Sequence, residues 1–525
     1  MSVVSNAAPK GINWISSERL DRVLLMCTVA IAGMLFWIAP RPGMVDLPQH
    51  AAQVAIWRDL ATGTSRWSDL VRINYFTPYL LGYGLALIFS FIMPIVAALK
   101  LVMMLAFYGY VAAGVKLREE FKADRRLDWL LVPGFFGFAY QWGFYSYLVA
   151  TPLALLFLIL ARRFAQTRSV SGGLLLCLAG IGLFFSHGLV FLFACATGAA
   201  FIPFICRTPL RVLAALAPYA VLGLLALGYN FALHHNDLLV PSGVELSWSW
   251  AIFEGWHRSF TFLLYTVATT KQDWYLLLGV VFLLAAPWLM GAKLNRKDPT
   301  AFVMIAAVLG IWFVVPSDAL GVSALYQRFA IFLLPAYVLV FREVAPGDVP
   351  VSSKGRQWLD SSWFVRTAVV LFCWCFLCVI GIRQHRFALA SAPFEEVLAA
   401  AEPGQRALNV VFAPESADIH NAFTYLHYPL WYQVDKGGFV DFNFATALPQ
   451  IVRFRPDRVP AAVNQVLIEG PRKFDWHAVQ GRIYRYFFVH HTAPLPVGMF
   501  NNDECEVVLV KDAGDWSLFE RRTCR

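Results

Sequence analysis

The chain has 525 residues, 58% of them hydrophobic and only 15% charged, with a formal net charge of +9. Soluble domains carry roughly a quarter charged residues, so a wholly soluble protein is excluded. The apolar runs do not alternate as barrel strands do, which leaves a polytopic helical membrane protein, because helices satisfy their own backbone in lipid.

The apolar segments fall at 23–39, 75–93, 95–115, 129–141, 144–161, 173–186, 188–205, 212–232, 274–290, 301–315, 329–341 and 367–382. This predicts an all-α membrane domain of about 11–12 apolar segments, several shorter than the roughly 20 residues that span a bilayer. The first run is preceded by Arg19, Asp21 and Arg22 and ends in "IAPRPGM" without a small-x-small cleavage site. It therefore reads as a retained helix rather than a secretory signal.

Lys and Arg gather in short loops between the runs, at 161–168, 206–211, 293–297 and 341–357. Positive-inside topology puts these loops and the N-terminus in the cytoplasm. The loops 40–74, 233–273 and 316–328, and everything after 383, then lie outside. The charge thus needs no nucleic acid, although anionic headgroups or a phosphorylated lipid substrate suit it. The basic loop 116–126 also reads as cytoplasmic. The stretch 75–115 must then cross an odd number of times, with one of its halves a partial or juxtamembrane segment on the outer side; the alternative is that this basic loop breaks the positive-inside trend.

After Ile382 the composition changes. "ALNVVFA", "RYFFVHH", "EVVLV" and "WSLFER" read as strands, with turn signals "KGG" and "DAGD". "FEEVLAAAEPG" reads as a helix and its stop. The expected division is a membrane domain over 1–382 and a soluble extracytoplasmic α/β domain over 383–525, with an outer juxtamembrane helix near 47–60. Of nine cysteines, seven lie in or beside apolar runs and suit packing. Cys505 and Cys524 fall in the polar tail, where an oxidising compartment allows a disulfide between them.

Candidate chemistry starts in "RPGMVDLPQHAAQVAIWRDL", Arg41 to Leu60. Pro48 fits a first helical turn, with Asp46 or Leu47 at the cap. His50, Gln53 and Trp57 then follow along one face, and the apolar face suits a helix lying on the outer surface. Asp46 either caps that helix or carries chemistry.

Other polar residues fall on the same side: Arg72, Asn74 and Tyr75, then His187 in "FFSHGLV". The long outer loop holds His234, His235, Asn236, Asp237, Glu245, Glu254, His257, Arg258, Lys271 and Asp273, with Trp248, Trp250, Trp256 and Trp274 fitting an aromatic belt. His234-His235 falls short of a zinc site, which needs three or four spaced ligands. No metal or cofactor is called, and a divalent metal is unsupported. Arg328 stands before an apolar run at an outer membrane edge, where topology does not favour positive charge. It suits a lipid phosphate, a snorkelling arginine or an internal ion pair.

This pattern resembles the GT-C superfamily of membrane glycosyltransferases, in the manner of the protein mannosyltransferases and aminoarabinose transferases. The resemblance is carried by Asp46 in "MVDLPQH" after the first membrane helix, by "YFTPYLLGY", by "LYQRFAIFLLPAYVLVF" and by the terminal soluble domain. It implies transfer of a sugar from a polyprenyl-phosphate donor to an envelope glycan, glycolipid or protein acceptor, with inversion. By the same resemblance Asp46 is the base, and Arg328, with Arg72, holds the donor phosphate. Leu47 departs from the family pattern, where another acidic or polar residue often follows the first. No family motif assigns His50, which is grouped with Asp46 as catalytic. Tyr75, His187, His257 and Arg258 are grouped with the substrate and donor-phosphate residues. The implied location is a bacterial inner membrane with the terminal domain in the periplasm.

The competing reading is a transporter or non-catalytic assembly protein handling a lipid-linked or envelope substrate. A transporter would show internal repeats and midplane ionisable residues. Here no repeat is evident, and the polar candidates gather near one membrane face. A nucleotide-sugar enzyme is disfavoured, since no Gly-rich phosphate-cradling motif appears.

Overall fold

The computed structural model describes residues 14–235, 255–318, 322–342, 353–446, 450–460 and 470–525. Asn236, Asp237, Glu245, Trp248, Trp250 and Glu254 lie outside these described residues.

Among the described residues seven helices are long and apolar enough to cross a membrane, at Arg19–Trp37, Ile95–Glu120, Tyr145–Thr167, Gly188–Ile205, Pro209–Ala232, Lys271–Leu289 and Ser362–Ala390. Shorter apolar helices cover Leu80–Ser90, Val170–Phe184, Pro299–Val314 and Gln327–Leu339. The chain is a membrane protein built mostly of helices, with a terminal region that contains a sheet.

Two ends of the helical part can be told apart by their contacts. At one end the basic loops meet. Arg162 bonds both Glu120 and Asp298, Asn295 donates to the Phe121 carbonyl, and Ala123 bridges to Arg342. The strands β2 (Lys293–Leu294) and β3 (Phe341–Arg342) pair there. Loops expected on one membrane side thus share one end.

At the other end, Lys100 donates to the Ala39 carbonyl, tying the start of the Ile95–Glu120 helix to the exit of the first helix. Of the stretch 75–115, only Ile95–Glu120 is therefore full length. The Leu80–Ser90 helix has 11 residues, roughly 16 Å at 1.5 Å per residue, about half a bilayer core.

The expected apolar segment 129–141 is not a continuous helix. It returns from the basic end as three short turns, Arg125–Leu130, Leu131–Gly134 and Phe138–Trp142. Irregular backbone is tolerated at membrane depth only when protein covers it, and Trp129 through Tyr140 are buried.

The last long helix runs Ser353–Ala390, past the expected boundary at Ile382. A helix at Pro393–Ala400 follows. The mixed sheet is built from β4 (Arg406–Val411), β5 (Phe439–Asp441), β7 (Tyr486–His490), β8 (Cys505–Ala513) and β9 (Trp516–Cys524), in the order β5-β4-β7-β9-β8. β4 runs parallel to β5 and β7, and β9 lies antiparallel between β7 and β8. Each of the four strand-like runs read from the sequence lies in this sheet. Cys505 and Cys524 face each other across β8 and β9 and form a disulfide.

A separate two-stranded ladder ties the halves together. β1 (Val71–Ile73), from the loop after the first helix, pairs antiparallel with β6 (Val452–Phe454) of the terminal region. Arg41 adds a second tie, bonding Glu395 and Asp435 while it stacks on Trp431.

Candidate active site

The Leu47–Ala61 helix starts as the sequence predicts, with Asp46 at the N-cap position and Pro48 in the first turn. Its surroundings differ from the expected surface helix. Every residue from Leu47 to Trp57 is buried, because the membrane domain takes one face and the terminal region covers the other. Gln49 bonds His427, the Phe442 carbonyl and the Phe444 amide. Gln53 accepts from the Val452 amide, and Gln433 donates to the Ala52 carbonyl. Of the stripe read from the sequence, Gln53 meets the terminal region, His50 bonds Tyr83 and Trp57 packs against Tyr75.

The Asp46 side chain makes no capping hydrogen bond. Its own amide donates to the Trp142 carbonyl, which fixes the backbone and leaves the carboxylate to turn inward. Gly143 makes this approach possible: it has φ +75, and a Cβ there would sit 3.0 Å from the Leu47 nitrogen and 3.1 Å from that of Asp46.

The carboxylate Oδ1 lies 3.6 Å from Nε2 of His427. Burial pushes Asp46 up from its ordinary 3.8 to about 7, although the Arg328 charge pulls the other way. Burial holds His427 down to about 3, helped by nearby His50. His50 itself is pushed down to about 3 by burial, against a backbone hydrogen bond with Gly143. Both imidazoles are therefore neutral at physiological pH. The His50 Nδ1 lies 2.6 Å from the Tyr83 hydroxyl, which donates to Gln450.

Arg328 joins the same group. Its charge acts on Asp46, His50, His187 and Tyr79. The guanidinium lies 3.9 Å over the Phe144 ring and donates to the carbonyls of Ala324 and Ser323. Among the described residues it closes no short ion pair. His187 is 2% exposed and packs between the rings of Tyr79 and Tyr147, each 5.0 Å away. Its Nδ1 and the Tyr147 hydroxyl are buried without a hydrogen-bond partner among the described residues. Such atoms cost free energy unless something meets them.

Four sequence candidates, Asp46, His50, His187 and Arg328, thus converge. Arg72 lies on β1, opposite Arg453, and Tyr75 packs exposed against Trp57. His257 is exposed. Arg258 is buried and donates to the carbonyls of Trp312 and Val315, with its guanidinium over Tyr326. Among the described residues no group of three His, Cys, Asp or Glu side chains is set to hold a metal ion. His427 and Arg453 were missed by sequence reasoning. Both sit in the terminal region, hundreds of residues from their partners, and no local spacing marks either.

The fold and this buried polar cluster, at the end of the bundle away from the basic loops, define a polytopic helical membrane protein with a candidate site at one end. Solved structures are similar to it over most of its length. A mutant form of the arabinofuranosyltransferase AftD from Mycobacteria matches with a TM-score of 0.50 at 14% identity, over 95% of this chain and 41% of that one. The unmutated AftD matches at 0.49 and 14%, over 95% and 40%. ArnT from Cupriavidus metallidurans, bound to undecaprenyl phosphate, matches at 0.48 and 10%, over 94% and 97%. The chain thus spans about two fifths of the arabinofuranosyltransferase. No family model matches it, and no curated protein does.

Proposed function

We propose that this protein is a glycosyltransferase that moves a sugar from a polyprenyl-phosphate donor to an acceptor hydroxyl, with inversion, at the membrane face where Asp46 lies. That face is extracytoplasmic if the basic loops lie in the cytoplasm, with the N-terminus inside, the terminal region in the periplasm and the bacterial inner membrane as host. The observation that carries the reading is a buried carboxylate, unused as a helix cap, facing both a neutral histidine and an arginine.

Asp46 would take the proton of the acceptor hydroxyl as its oxygen attacks the sugar C1. The C1–O bond to the lipid phosphate breaks, and the phosphate leaves with its electron pair. A base that titrates near 7 suits work at neutral pH. The leaving phosphate gains negative charge, which Arg328 would offset in a site with little water to screen it. Neutral His427 and His50 would position the carboxylate and substrate rather than bind phosphate. The shared fold with an arabinofuranosyltransferase supports a transferase of this type, with a pentosyl or hexosyl group. Against a transporter stands the gathering of the polar residues at one end.

The test is transfer from a polyprenyl-phosphate sugar to membrane acceptors. Asp46→Asn should abolish transfer while the protein still folds. Full activity in that variant would remove Asp46 from the chemistry.

A further inference from the structure

The β1–β6 ladder sets Arg72 directly opposite Arg453. Residues opposed in this way hold their Cβ atoms roughly 4.5–5.5 Å apart, and like charges there repel. No acid answers them among the described residues. Nε of Arg72, and Nε and Nη1 of Arg453, are buried with no hydrogen-bond partner among the described residues. Arg453 is only 7% exposed. Burial, followed by the Arg72 charge, holds Arg453 down to about 10. A buried cation set beside a second, half-buried one is costly. Two free guanidinium forks side by side are complementary to a tetrahedral oxyanion.

The surroundings narrow the ligand further. The hydroxyl of Tyr229, near enough to feel Arg453, is also buried without a partner among the described residues. Phe76 and Phe184 pack against the Tyr229 ring, each at 5.4 Å. Phe76 and neighbouring Tyr75 are 41% and 61% exposed, so an aromatic shelf leads from the arginines to the outside of the bundle. An apolar chain can lie along that shelf while its charged head meets the arginines.

We propose that Arg72 and Arg453 form an anion subsite that binds the phosphate group of a lipid, with the terminal region supplying one of the two arginines. This subsite is made by residues other than Arg328, whose guanidinium meets the Ala324 and Ser323 carbonyls and the Phe144 ring. It gives the terminal region a direct part in ligand binding, and it stands whether or not Asp46 is a base.

The test uses the full chain in detergent micelles, with dodecyl phosphate and inorganic phosphate as probes, and reads both saturable binding and the melting temperature. Dodecyl phosphate should bind the wild type and raise its melting temperature. Arg453→Met should weaken that binding at least tenfold, and without ligand it should melt no lower than wild type, because a repulsive buried charge has gone. Arg453→Gln, which keeps hydrogen bonding without charge, serves as the second variant and should behave alike. Asp46→Asn should keep the binding, which separates failure of this subsite from failure of the transferase reading. A response to dodecyl phosphate alone assigns a lipid-borne phosphate. An equal response to inorganic phosphate shows that the free anion is the ligand and overturns the lipid assignment. Unchanged binding in the Arg453 variants, no binding to wild type, or ligand-free variants that melt lower would overturn the subsite itself.

Discussion

Replacing Asp46 by asparagine separates the stability of this protein from its chemistry. Burial lifts the carboxyl from 3.8 to about 7. The folded state therefore holds a proton that the unfolded chain has lost over most of the range between those values. Stability must fall as pH rises through that window. At about 1.4 kcal/mol per pKa unit, about three units correspond to at most about 4 kcal/mol at pH 8. Asparagine has nearly the same shape and never ionises. Asp46→Asn should match wild type near pH 4 and be the more stable protein at pH 8, by up to that amount. Transfer activity should be lost at every pH, and wild-type activity should climb with pH through about 7. Thermal unfolding of both proteins in detergent at pH 4.5, 6 and 8, with the rate of transfer measured in parallel, checks this. A variant that melts below wild type at pH 8, or wild-type activity flat between pH 5 and 8, would refute the reasoning.

Arg328→Gln removes the charge that lowers the Asp46 pKa. The pH–rate profile should move to higher pH, with a fall in kcat of tenfold or more, read from steady-state kinetics across pH. Gly143→Ala puts a methyl group at φ +75 against the backbone of Asp46 and Leu47. It should cost roughly 1–2 kcal/mol in backbone strain alone, seen as a lower melting temperature, and transfer should drop as the carboxylate shifts. Reducing the Cys505–Cys524 bridge, whose partners are 19 residues apart, should destabilise the terminal region by about 3 kcal/mol by the loop-closure estimate. Unfolding followed with and without a reductant reads this directly.

Much of the architecture can be read from local pattern. Apolar length marks membrane segments because lipid offers the backbone no hydrogen bonds, and that demand acts on each run separately. The same holds for the strand-like runs in β4, β7, β8 and β9 and for the proline that opens the Leu47–Ala61 helix. Segment 129–141 escapes this logic. Its apolarity comes from burial in protein, which looks the same as burial in lipid to a hydropathy count.

The candidate site divides along the same line. Asp46 and Arg328 stand out in the sequence because each is a charge at a membrane edge, an expense visible without knowing its neighbours. What the charge faces is a tertiary matter. The terminal region folds back over the Leu47–Ala61 helix and brings His427 to Asp46 and Arg453 to Arg72, across gaps of several hundred residues. Burial between that region and the helices lifts the Asp46 pKa, holds His50 and His427 neutral and leaves two arginines without a partner among the described residues. A sequence records which groups can ionise, but the cost of ionising them depends on what covers them, and only the folded chain decides that.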